Sequence, residues 1–427
     1  MVTVVILVLF YLLFPVAIIW ICKKWTLLQK IGTIGVAYLI GLFLGSIGIF
    51  PEGSPQYKLA LAGRTSMPST EIATLIDKGE LSTDDEYVNQ IATVQEVIPS
   101  IAVIIAFPLL LFSLNIRHWI KFASKGFFSI LLGLAAGLVM VVVGFFIWKD
   151  SFPESWKLAG MFEGMYTGGT PNFVAIQVAL KVDPTLFVIA TTYDIVVGAV
   201  LVLFFISIAP KIFSLILPFE AKATSTAMKA DIDKETTNPE DFSGMLEKKK
   251  LFPLLKALGL SAVIVGLSAG IAYGLQLVFP GIPFNAVIIL SVTLLGIASS
   301  MVKRINGIAK SFQLGMYLII VFALTVSSMA DLETMMRIEM LDLILFISWC
   351  YFGSLILHLI LARIFRIDSD NFLITSTALI FSPPFVPLVA KSLKNKDVMV
   401  TGITGGIIGL MLGNLIGIPL AYFLQQF

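Results

Sequence analysis

The sequence predicts an all-α polytopic membrane protein with two inverted repeats of about five helices, one or two extra helices and two discontinuous crossing helices. Of its 427 residues, 58% are hydrophobic and 13% are charged, whereas a soluble domain has about 25% charged residues. The apolar residues form long continuous runs, which exclude the short alternating strands of an outer-membrane barrel. Two of the runs contain helix-breaking residues at corresponding positions, as in secondary transporters with internal repeats.

About a dozen apolar runs approach the ~20 residues that a helix needs to cross a bilayer. They lie near residues 2–22, 32–50, 97–115, 126–148, 157–182, 185–208, 254–279, 283–302, 311–330, 341–365, 371–392 and 398–425. We expect the first run to remain as a transmembrane helix, because it lacks the charged start and the cleavage site of a signal peptide. Of two polar stretches, residues 51–96 predict a loop with a short amphipathic helix, and residues 220–250 have the composition of a flexible linker.

The charges of the loops indicate that the two halves have opposite orientations. The loop 115–126 is basic and therefore predicted to be cytoplasmic, whereas its counterpart 331–340 is acidic and predicted to be external. The loop 303–310 is basic, and its counterpart 51–96 leans acidic. Six full crossings in each half would make the repeats parallel. An inverted repeat therefore requires either that one apolar run does not cross or that an extra short crossing lies near 212–219.

The first interrupted run contains Gly168-Gly169-Thr170-Pro171-Asn172. Glycine disfavours helix, and proline lacks a backbone N–H and clashes with the preceding turn. Backbone polar groups cannot stay unpaired in lipid, so such a break must be buried in protein or face a watery cavity. The second half has Ser382-Pro383-Pro384 at the corresponding place. Paired breaks of this kind point to the substrate site of a secondary transporter.

Several polar side chains near the first break could bind a cation. Asp194 lies deep in the run 185–208, where a charge costs at least about 2.5–3.5 kcal/mol, so it must face the protein interior or a water-filled cavity. It is either a cation ligand or proton site, or a structural residue that pairs with a hydroxyl or caps a broken helix. Glu163 precedes the break by one turn and is a second candidate. The alternative is that Glu163 lies at the membrane surface and binds no ion. Oxygen ligands of this kind suit hard alkali cations. The predicted cation-binding residues are Asn172, Asp194, Glu163, Thr167 and Asn414.

The substrate is expected between the two breaks. A half-helix N-terminus offers bare N–H groups and a positive partial charge, which suit a carboxylate. The predicted substrate-binding residues are Gly168, Gly169, Thr170, Thr377, Ser382 and Pro383. Asn414 has a helix–helix hydrogen bond as its alternative role. His358 is either a proton relay or, as is commoner for a lone histidine, bonded to a backbone carbonyl.

Other residues indicate packing or exclude functions. The glycines at 133, 137, 405, 406, 409 and 413 are typical of close helix packing. Cys22 and Cys350 provide neither a disulfide framework nor a metal motif. An enzyme is not expected, because no nucleophile–base pair or metal-ligand pattern is present. The sequence has no basic patch that would predict binding of nucleic acid.

Three segments resemble the YjcL-like family of membrane proteins, a family of unknown function. They are residues 107–117, Tyr166 to Ala175 and Gly413-Asn414. The family typically has a Gly-Gly-Ser/Thr-x-Asn-Phe-Val-Ala pattern, which Gly168 to Ala175 match. The second break departs from the family, since Ser382-Pro383-Pro384 stands where a Gly-Gly-Pro-like break is expected.

The family is similar in layout to a superfamily of bile-acid/sodium symporters, glutamate/sodium symporters and cation/proton antiporters. This resemblance implies a core domain and a panel domain that move by an elevator-like or rocking step. The panel would comprise residues 1–125, with the polar loop 51–96, and residues 251–340. The core would comprise residues 126–219 and 341–427, with the linker at 220–250.

The leading hypothesis is a sodium- or proton-coupled symporter of a small organic anion, and the alternative is a cation/proton antiporter without organic substrate. No cofactor is expected apart from a sodium ion. The predicted partners are a small anionic substrate and the lipid bilayer, with a homodimer left open. The predicted location is the inner or plasma membrane.

Overall fold

A computed structural model describes residues 2–25, 28, 32–61, 64–113, 125–218, 241–245, 247–329, 341–381, 385–393, 395 and 398–427. Within these residues the regular structure is helical and contains no strand. The second predicted break, 382–384, and the loops 115–124 and 331–340 lie outside the described residues. The same holds for most of the predicted linker.

The helices follow the predicted apolar runs. Their bounds are α1 Val2–Lys24, α2 Thr33–Ser46, α3 Pro55–Leu61, α4 Ser69–Asp77, α5 Thr83–Phe112, α6 Lys125–Trp148, α7 Ser155–Gly168, α8 Thr170–Leu180, α9 Pro184–Ser207, α10 Ala209–Ile216, α11 Lys248–Val278, α12 Phe284–Ser300, α13 Lys303–Asn306, α14 Ser311–Ser327, α15 Leu341–Ile364, α16 Ser369–Phe381, α17 Val386–Ser392 and α18 Val398–Leu424. In α15 a π-helical turn, Trp349–Gly353, separates two α-helical parts.

Seven of the described helices are long and apolar enough to cross a membrane, which confirms a multi-pass helical membrane protein. They are α1, α5, α6, α9, α11, α15 and α18. The apolar helices α2, α8, α12 and α14 are shorter.

The polar stretch 51–96 is more helical than expected. It contains two short helices, α3 and α4, and the first turns of α5, which starts at Thr83 rather than near residue 97. Asp84, Asp85 and Glu86 occupy the first turn of α5, where negative charge stabilises the helix N-terminus. Polar residues therefore extend this helix well beyond its apolar part.

The described chain forms two compact units. Unit 1 takes residues from 1–103, 183–189 and 317–337. In its interior Tyr11 Oη lies 2.7 Å from Ser328 Oγ, and Gln95 Nε2 donates to Tyr11 Oη at 3.0 Å. A Cβ at Gly45 would meet the Ser328 carbonyl oxygen at 2.6 Å, so α2 and α14 touch through their backbones.

Unit 2 takes residues from 104–182, 190–316 and 338–427 and contains both interrupted runs. Within it α6 and α15 pack antiparallel. The ring of Phe128 lies 5.2 Å from that of Phe365, and the ring of Trp148 lies 6.4 Å from that of Phe346. The start of α6 thus lies beside the end of α15, and the end of α6 lies beside the start of α15.

The first interrupted run folds back on itself. Gly169 has φ 82° and ψ −167°, which ends α7 and starts α8. Lys157 Nζ donates to the Lys181 carbonyl at 3.2 Å across 24 residues, which a continuous helix would place about 36 Å apart. The rings of Phe162 and Phe173 pack 5.2 Å apart between the two arms. We call this segment, α7 and α8, hairpin 1.

The second interrupted run folds back in the same way. Asn395 Nδ2 donates to Asp370 Oδ2 at 2.7 Å across 25 residues, although Asp370 lies in the first turn of α16 and Asn395 follows α17. A Cβ at Gly402 would touch both Ile374 of α16 and Val386 of α17, at 2.7 and 2.6 Å. We call α16 and α17 hairpin 2.

The prediction of two discontinuous crossing helices is therefore wrong, because both segments are re-entrant hairpins. The arms of hairpin 1 have 14 and 11 residues, which corresponds to about 21 and 16 Å, too short for a hydrocarbon core of about 30 Å. Folding back lets the broken backbone lie among other helices. Each half thus has one apolar run that folds back on itself instead of forming a single long helix.

Candidate functional site

Hairpin 1 contacts α18 through rows of glycine. Gly160, Gly164 and Gly168 recur every four residues on α7, and glycines recur at the same spacing at 409, 413 and 417 of α18, which places each row on one helix face. A Cβ at Gly409 would lie 1.6 Å from the Thr167 carbonyl oxygen. These positions confirm the predicted close packing at 409 and 413. At Gly137, by contrast, a Cβ would meet nothing within 4 Å.

Asn172 lies in the first turn of α8, beside the tip of hairpin 1. It is fully buried, and its Nδ2 donates to the Gly409 carbonyl at 3.2 Å. Its Oδ1 has no hydrogen-bond partner among the described residues. Pro171 fits the same turn without loss, because the first helical N–H groups have no partner within the helix.

Glu163 and Thr167 lie one turn apart on α7. Thr167 Oγ1 donates to Glu163 Oε1 at 3.1 Å. Glu163 Oε2 is buried and has no partner in the described part of the chain. Because Glu163 is only 1% exposed, the interfacial alternative for this residue does not hold.

Asn414 bridges α18 and α12. Its Nδ2 donates to Thr293 Oγ1 at 3.1 Å, and Thr293 Oγ1 donates to the Ile289 carbonyl at 2.8 Å. The structure therefore contains the helix–helix hydrogen bond given as the alternative role. Asn414 Oδ1 also stays without a partner within the described residues.

In each of the three preceding residues, Glu163, Asn172 and Asn414, one side-chain oxygen has no hydrogen-bond partner among the described residues. All three oxygens are hydrogen-bond acceptors. A buried polar group without a partner costs about 1–3 kcal/mol, and a cation can supply the missing interaction to an acceptor of this kind. A hard alkali cation accepts carboxylate, amide and hydroxyl oxygens. Over the described ranges no three His, Cys, Asp or Glu side chains come together as a metal cluster. Glu163 and Asn172 belong to hairpin 1, whereas Asn414 belongs to α18. The acceptors are Glu163 Oε2, Asn172 Oδ1 and Asn414 Oδ1.

Asp194 has a different environment from these residues. Tyr351 Oη donates to Asp194 Oδ1 at 2.6 Å, and the ring of Tyr351 packs edge-on against that of Tyr166 at 4.5 Å. Tyr166 directly precedes Thr167 at the end of α7. Asp194 is buried as predicted, but its hydrogen-bond partner is a phenol rather than a group at the tip of hairpin 1.

The predicted substrate residues differ in what they can offer. Gly168 packs against α18, where a Cβ would meet the Gly409 carbonyl oxygen at 2.5 Å. The Gly169 carbonyl already accepts from the N–H groups of Asn172 and Phe173, at 3.1 and 3.3 Å. Thr377 Oγ1 donates to the Leu373 carbonyl at 2.7 Å within its own helix. Thr170 is half-buried, and Ser382 and Pro383 lie outside the described residues.

His358 interacts with the backbone of Ser129, as expected for a lone histidine, and also with two hydroxyl groups. Its Nδ1 lies 2.9 Å from Ser376 Oγ, and its Nε2 lies 3.3 Å from Ser129 Oγ. His358 also lines a small pocket together with Tyr166 and Ser376, and Gly133 and Gly137 form part of its wall.

Sequence reasoning missed Tyr351, Tyr166 and Thr293. Each is an ordinary residue of an apolar helix, and its partner lies far away in the chain. Tyr351 and Asp194, for example, are 157 residues apart. Tyr166 is the first residue of the motif Tyr166 to Ala175, but nothing in the local sequence indicates what it contacts.

Comparison with known proteins identifies the family. Residues 86–427 match the family described as protein of unknown function (DUF819), and this range includes both hairpins. The chain is also 24% identical over 346 residues to the uncharacterized membrane protein YjcL of Bacillus subtilis (strain 168), which covers 78% of this chain and 84% of the relative. The resemblance noted from the motifs is thereby confirmed. This multi-pass membrane protein belongs to the family of proteins of unknown function DUF819.

Proposed function

We propose that the protein is a secondary active transporter, a symporter that couples uptake of a small organic anion to a cation. The observation that carries this proposal is the buried tip of hairpin 1, where Glu163 and Asn172 each keep an acceptor oxygen without a donor. Broken backbone inside a membrane protein occurs where it is buried or lines a cavity. In transporters such positions hold the substrate and the coupling ion.

The proposed coupling ion is sodium, held by hairpin 1. Glu163 supplies the negative charge, and Asn172 and Thr167 supply neutral oxygens. A buried carboxylate is stabilised when a cation compensates its charge. Asn414 is a further candidate ligand, since its amide oxygen is also unpaired.

The proposed substrate site lies between hairpins 1 and 2, in a core formed by two inverted halves. Support for the inversion comes from α6 and α15, which pack antiparallel and directly precede hairpins 1 and 2. The hairpins therefore start from opposite ends of this helix pair. An elevator-like movement of the core against a panel, in a cell membrane, completes the proposal.

Sodium binding is tested first, without any substrate. The thermal unfolding midpoint of the protein in lipid nanodiscs is measured in NaCl and in choline chloride of equal ionic strength. Sodium is expected to raise the midpoint of the wild type, because a ligand of the folded state stabilises it. Glu163→Gln and Asn172→Ala are expected to lose this increase. Ser268→Ala is the matched control, since Ser268 Oγ is another buried unpaired atom, on α11.

Transport is tested in proteoliposomes with radiolabelled mono-, di- and tricarboxylates. A sodium gradient is expected to drive accumulation of at least one carboxylate in the wild type and not in Asn172→Ala. A pyranine-filled vesicle distinguishes the alternative, because an antiporter would move protons on a sodium pulse without any carboxylate. Absence of a sodium effect on both stability and flux would overturn the proposal.

A further inference from the structure

Asp194 and Tyr351 form a buried pair that the sodium site does not use. The phenol of Tyr351 donates to Asp194 Oδ1 at 2.6 Å. Asp194 is 7% exposed and has no ion-pair partner among the residues that the structure describes. A buried carboxyl group without a compensating cation is stable when it is neutral or paired.

Asp194, unlike Glu163, has no oxygen that is both buried and without a hydrogen-bond partner among the described residues. At hairpin 1 the unpaired groups are acceptors, which suit a cation. Both carboxylates accept one hydroxyl hydrogen, Glu163 from Thr167 and Asp194 from Tyr351, but a proton can neutralise the buried Asp194 without any further ligand. The nearby rings of Tyr166 and Phe381 add apolar surface rather than oxygen ligands. The two places thus differ in the unpaired acceptors that they offer.

Few other groups near Asp194 can ionise. Tyr351 and Cys350 face it from the π-helical turn of α15, and Tyr166 faces it from α7, all within electrostatic range of one another. Tyr193 is its neighbour in the sequence. Glu163 is within electrostatic range of Cys350. Asp194 is the carboxyl group of this cluster closest to Tyr351.

Tyr351 also connects Asp194 to hairpin 1. It lies in the π-helical turn Trp349–Gly353, a feature that is frequent at functional sites. Its ring packs against Tyr166 at 4.5 Å, and Tyr166 Oη donates to the Ile347 carbonyl at 3.3 Å. A change in the position of Tyr351 therefore reaches the last turn of α7, three residues before Gly169.

We propose that Asp194 is a proton-binding site separate from the sodium site, and that Tyr351 transmits its protonation state to the tip of hairpin 1. When the carboxylate takes up one proton from solvent, the hydrogen bond from Tyr351 changes from a charge-assisted to a neutral one, which is roughly half as strong. The phenol is then held less firmly, and its contact with Tyr166 relaxes. The link to the sodium site rests on the proposed function, whereas the proton site does not.

The proton site is tested by infrared difference spectroscopy of the whole protein in lipid, titrated from neutral to acidic pH without sodium or substrate. A carbonyl band of a protonated carboxyl group is expected in the wild type and lost in Asp194→Asn. In Tyr351→Phe the band is expected at higher frequency, because the carbonyl has lost a hydrogen bond. Gly198→Ala is the matched control, since its Cβ would lie 3.7 Å from Tyr351 Oη in ordinary contact.

The transmission is tested by hydrogen exchange of residues 164–173, compared between variants at each pH. The wild type and Gly198→Ala are expected to share one pH-dependent change, which Asp194→Asn and Tyr351→Phe lack. A carboxyl band that Asp194→Asn leaves unchanged, or that Glu163→Gln alone removes, overturns the proton site. Wild-type exchange in Tyr351→Phe overturns the transmission. The stabilisation of the protein by sodium is measured in a separate experiment. The proton site can therefore be disproved while the sodium site holds, and the sodium site can be disproved while the proton site holds.

Discussion

The ammonium group of Lys157 and the carbonyl oxygen of Lys181 lie 3.2 Å apart, although 24 residues separate them. The start of α7 and the end of α8 therefore share one end of hairpin 1. In a membrane this contact places the segments before and after the hairpin on the same side of the bilayer. A discontinuous helix that crosses would place them on opposite sides.

This arrangement predicts a specific labelling pattern. Ser151→Cys and Lys181→Cys, each in a background with Cys22 and Cys350 replaced by alanine, are expected to react with an impermeant maleimide from the same side of sealed vesicles. Both positions are exposed. The control is α11, whose flanking variants Lys249→Cys and Gly281→Cys are expected to react from opposite sides. Labelling of Ser151→Cys and Lys181→Cys from opposite sides would contradict the hairpin.

The glycine contact between α7 and α18 predicts a large effect of one methyl group. In Gly409→Ala the Cβ would lie 1.6 Å from the Thr167 carbonyl oxygen, and neither backbone can move alone. We expect the free energy of unfolding to fall by at least about 1–3 kcal/mol, as in overpacked cores. Gly137→Ala is the control, because its Cβ would meet nothing within 4 Å. Equal unfolding midpoints for the two variants would refute the close approach.

The hydrogen bonds around His358 predict its tautomer. Thr375 Oγ1 donates to the Asn371 carbonyl at 2.7 Å and so accepts from Ser129 Oγ at 2.7 Å. Ser129 then accepts from His358 Nε2 at 3.3 Å, and His358 Nδ1 accepts from Ser376 Oγ at 2.9 Å. This order places a hydrogen on Nε2, and we expect the imidazole to be neutral because a charged ring is disfavoured when it is buried without an ion-pair partner.

Solid-state ¹⁵N NMR of the His118→Gln variant checks this tautomer, because the chain has two histidines and only His358 then remains. We expect one protonated and one unprotonated ring nitrogen at neutral pH. Ser376→Ala is expected to shift the unprotonated resonance alone. Two protonated nitrogens at neutral pH would show that the hydrogen-bond order is different.

The ion pair of Lys310 and Asp241 predicts a pH dependence outside the membrane-spanning helices. Lys310 Nζ donates to Asp241 Oδ2 at 2.8 Å, and this bond holds the pKa of the Asp241 carboxyl well below its usual range. The stabilisation is therefore complete above the ordinary pKa of about 4 and is lost as pH falls through the lowered value. Because the Asp241 side chain is 42% exposed, solvent screening limits the contribution to about 1 kcal/mol or less.

Hydrogen exchange of residues 241–245 measures this contribution. At neutral pH Lys310→Met is expected to exchange faster than the wild type, and strongly acidic pH is expected to abolish the difference. Lys58→Met is the control, since the Lys58–Glu52 pair is 60% and 83% exposed and is expected to contribute little. A difference between wild type and Lys310→Met that persists in strong acid would contradict the assignment.

Local chemistry was enough to predict some features. Gly169 is the residue that breaks the first interrupted run, as glycine and proline in an apolar stretch require. The burial of Asp194 followed from the price of a charge in lipid. The glycine spacing on α18 predicts close helix packing but does not indicate which helix packs against it.

Long-range geometry was beyond the sequence. The difference between a crossing helix and a hairpin depends on contacts such as Asp370 with Asn395, across 25 residues, and no local pattern encodes the direction of the second arm. The separation of Asp194 from hairpin 1 depends on Tyr351, which comes from the other half of the chain. Roles for Asp194 and Asn172 therefore could not be told apart from their residue types.

The contact of α7 with α18 leaves no side chain between the two backbones at Gly409 and Gly417, where a Cβ would come within 1.6 and 2.5 Å of carbonyl oxygens of α7. Side chains that change rotamer allow packed helices to slide past each other, and glycine has no side chain at these two positions. We therefore expect hairpin 1 and α18 to resist sliding past each other, because any such movement would press backbone against backbone. Since α18 is also the next helix after hairpin 2 in the chain, the same helix is a neighbour of both hairpins.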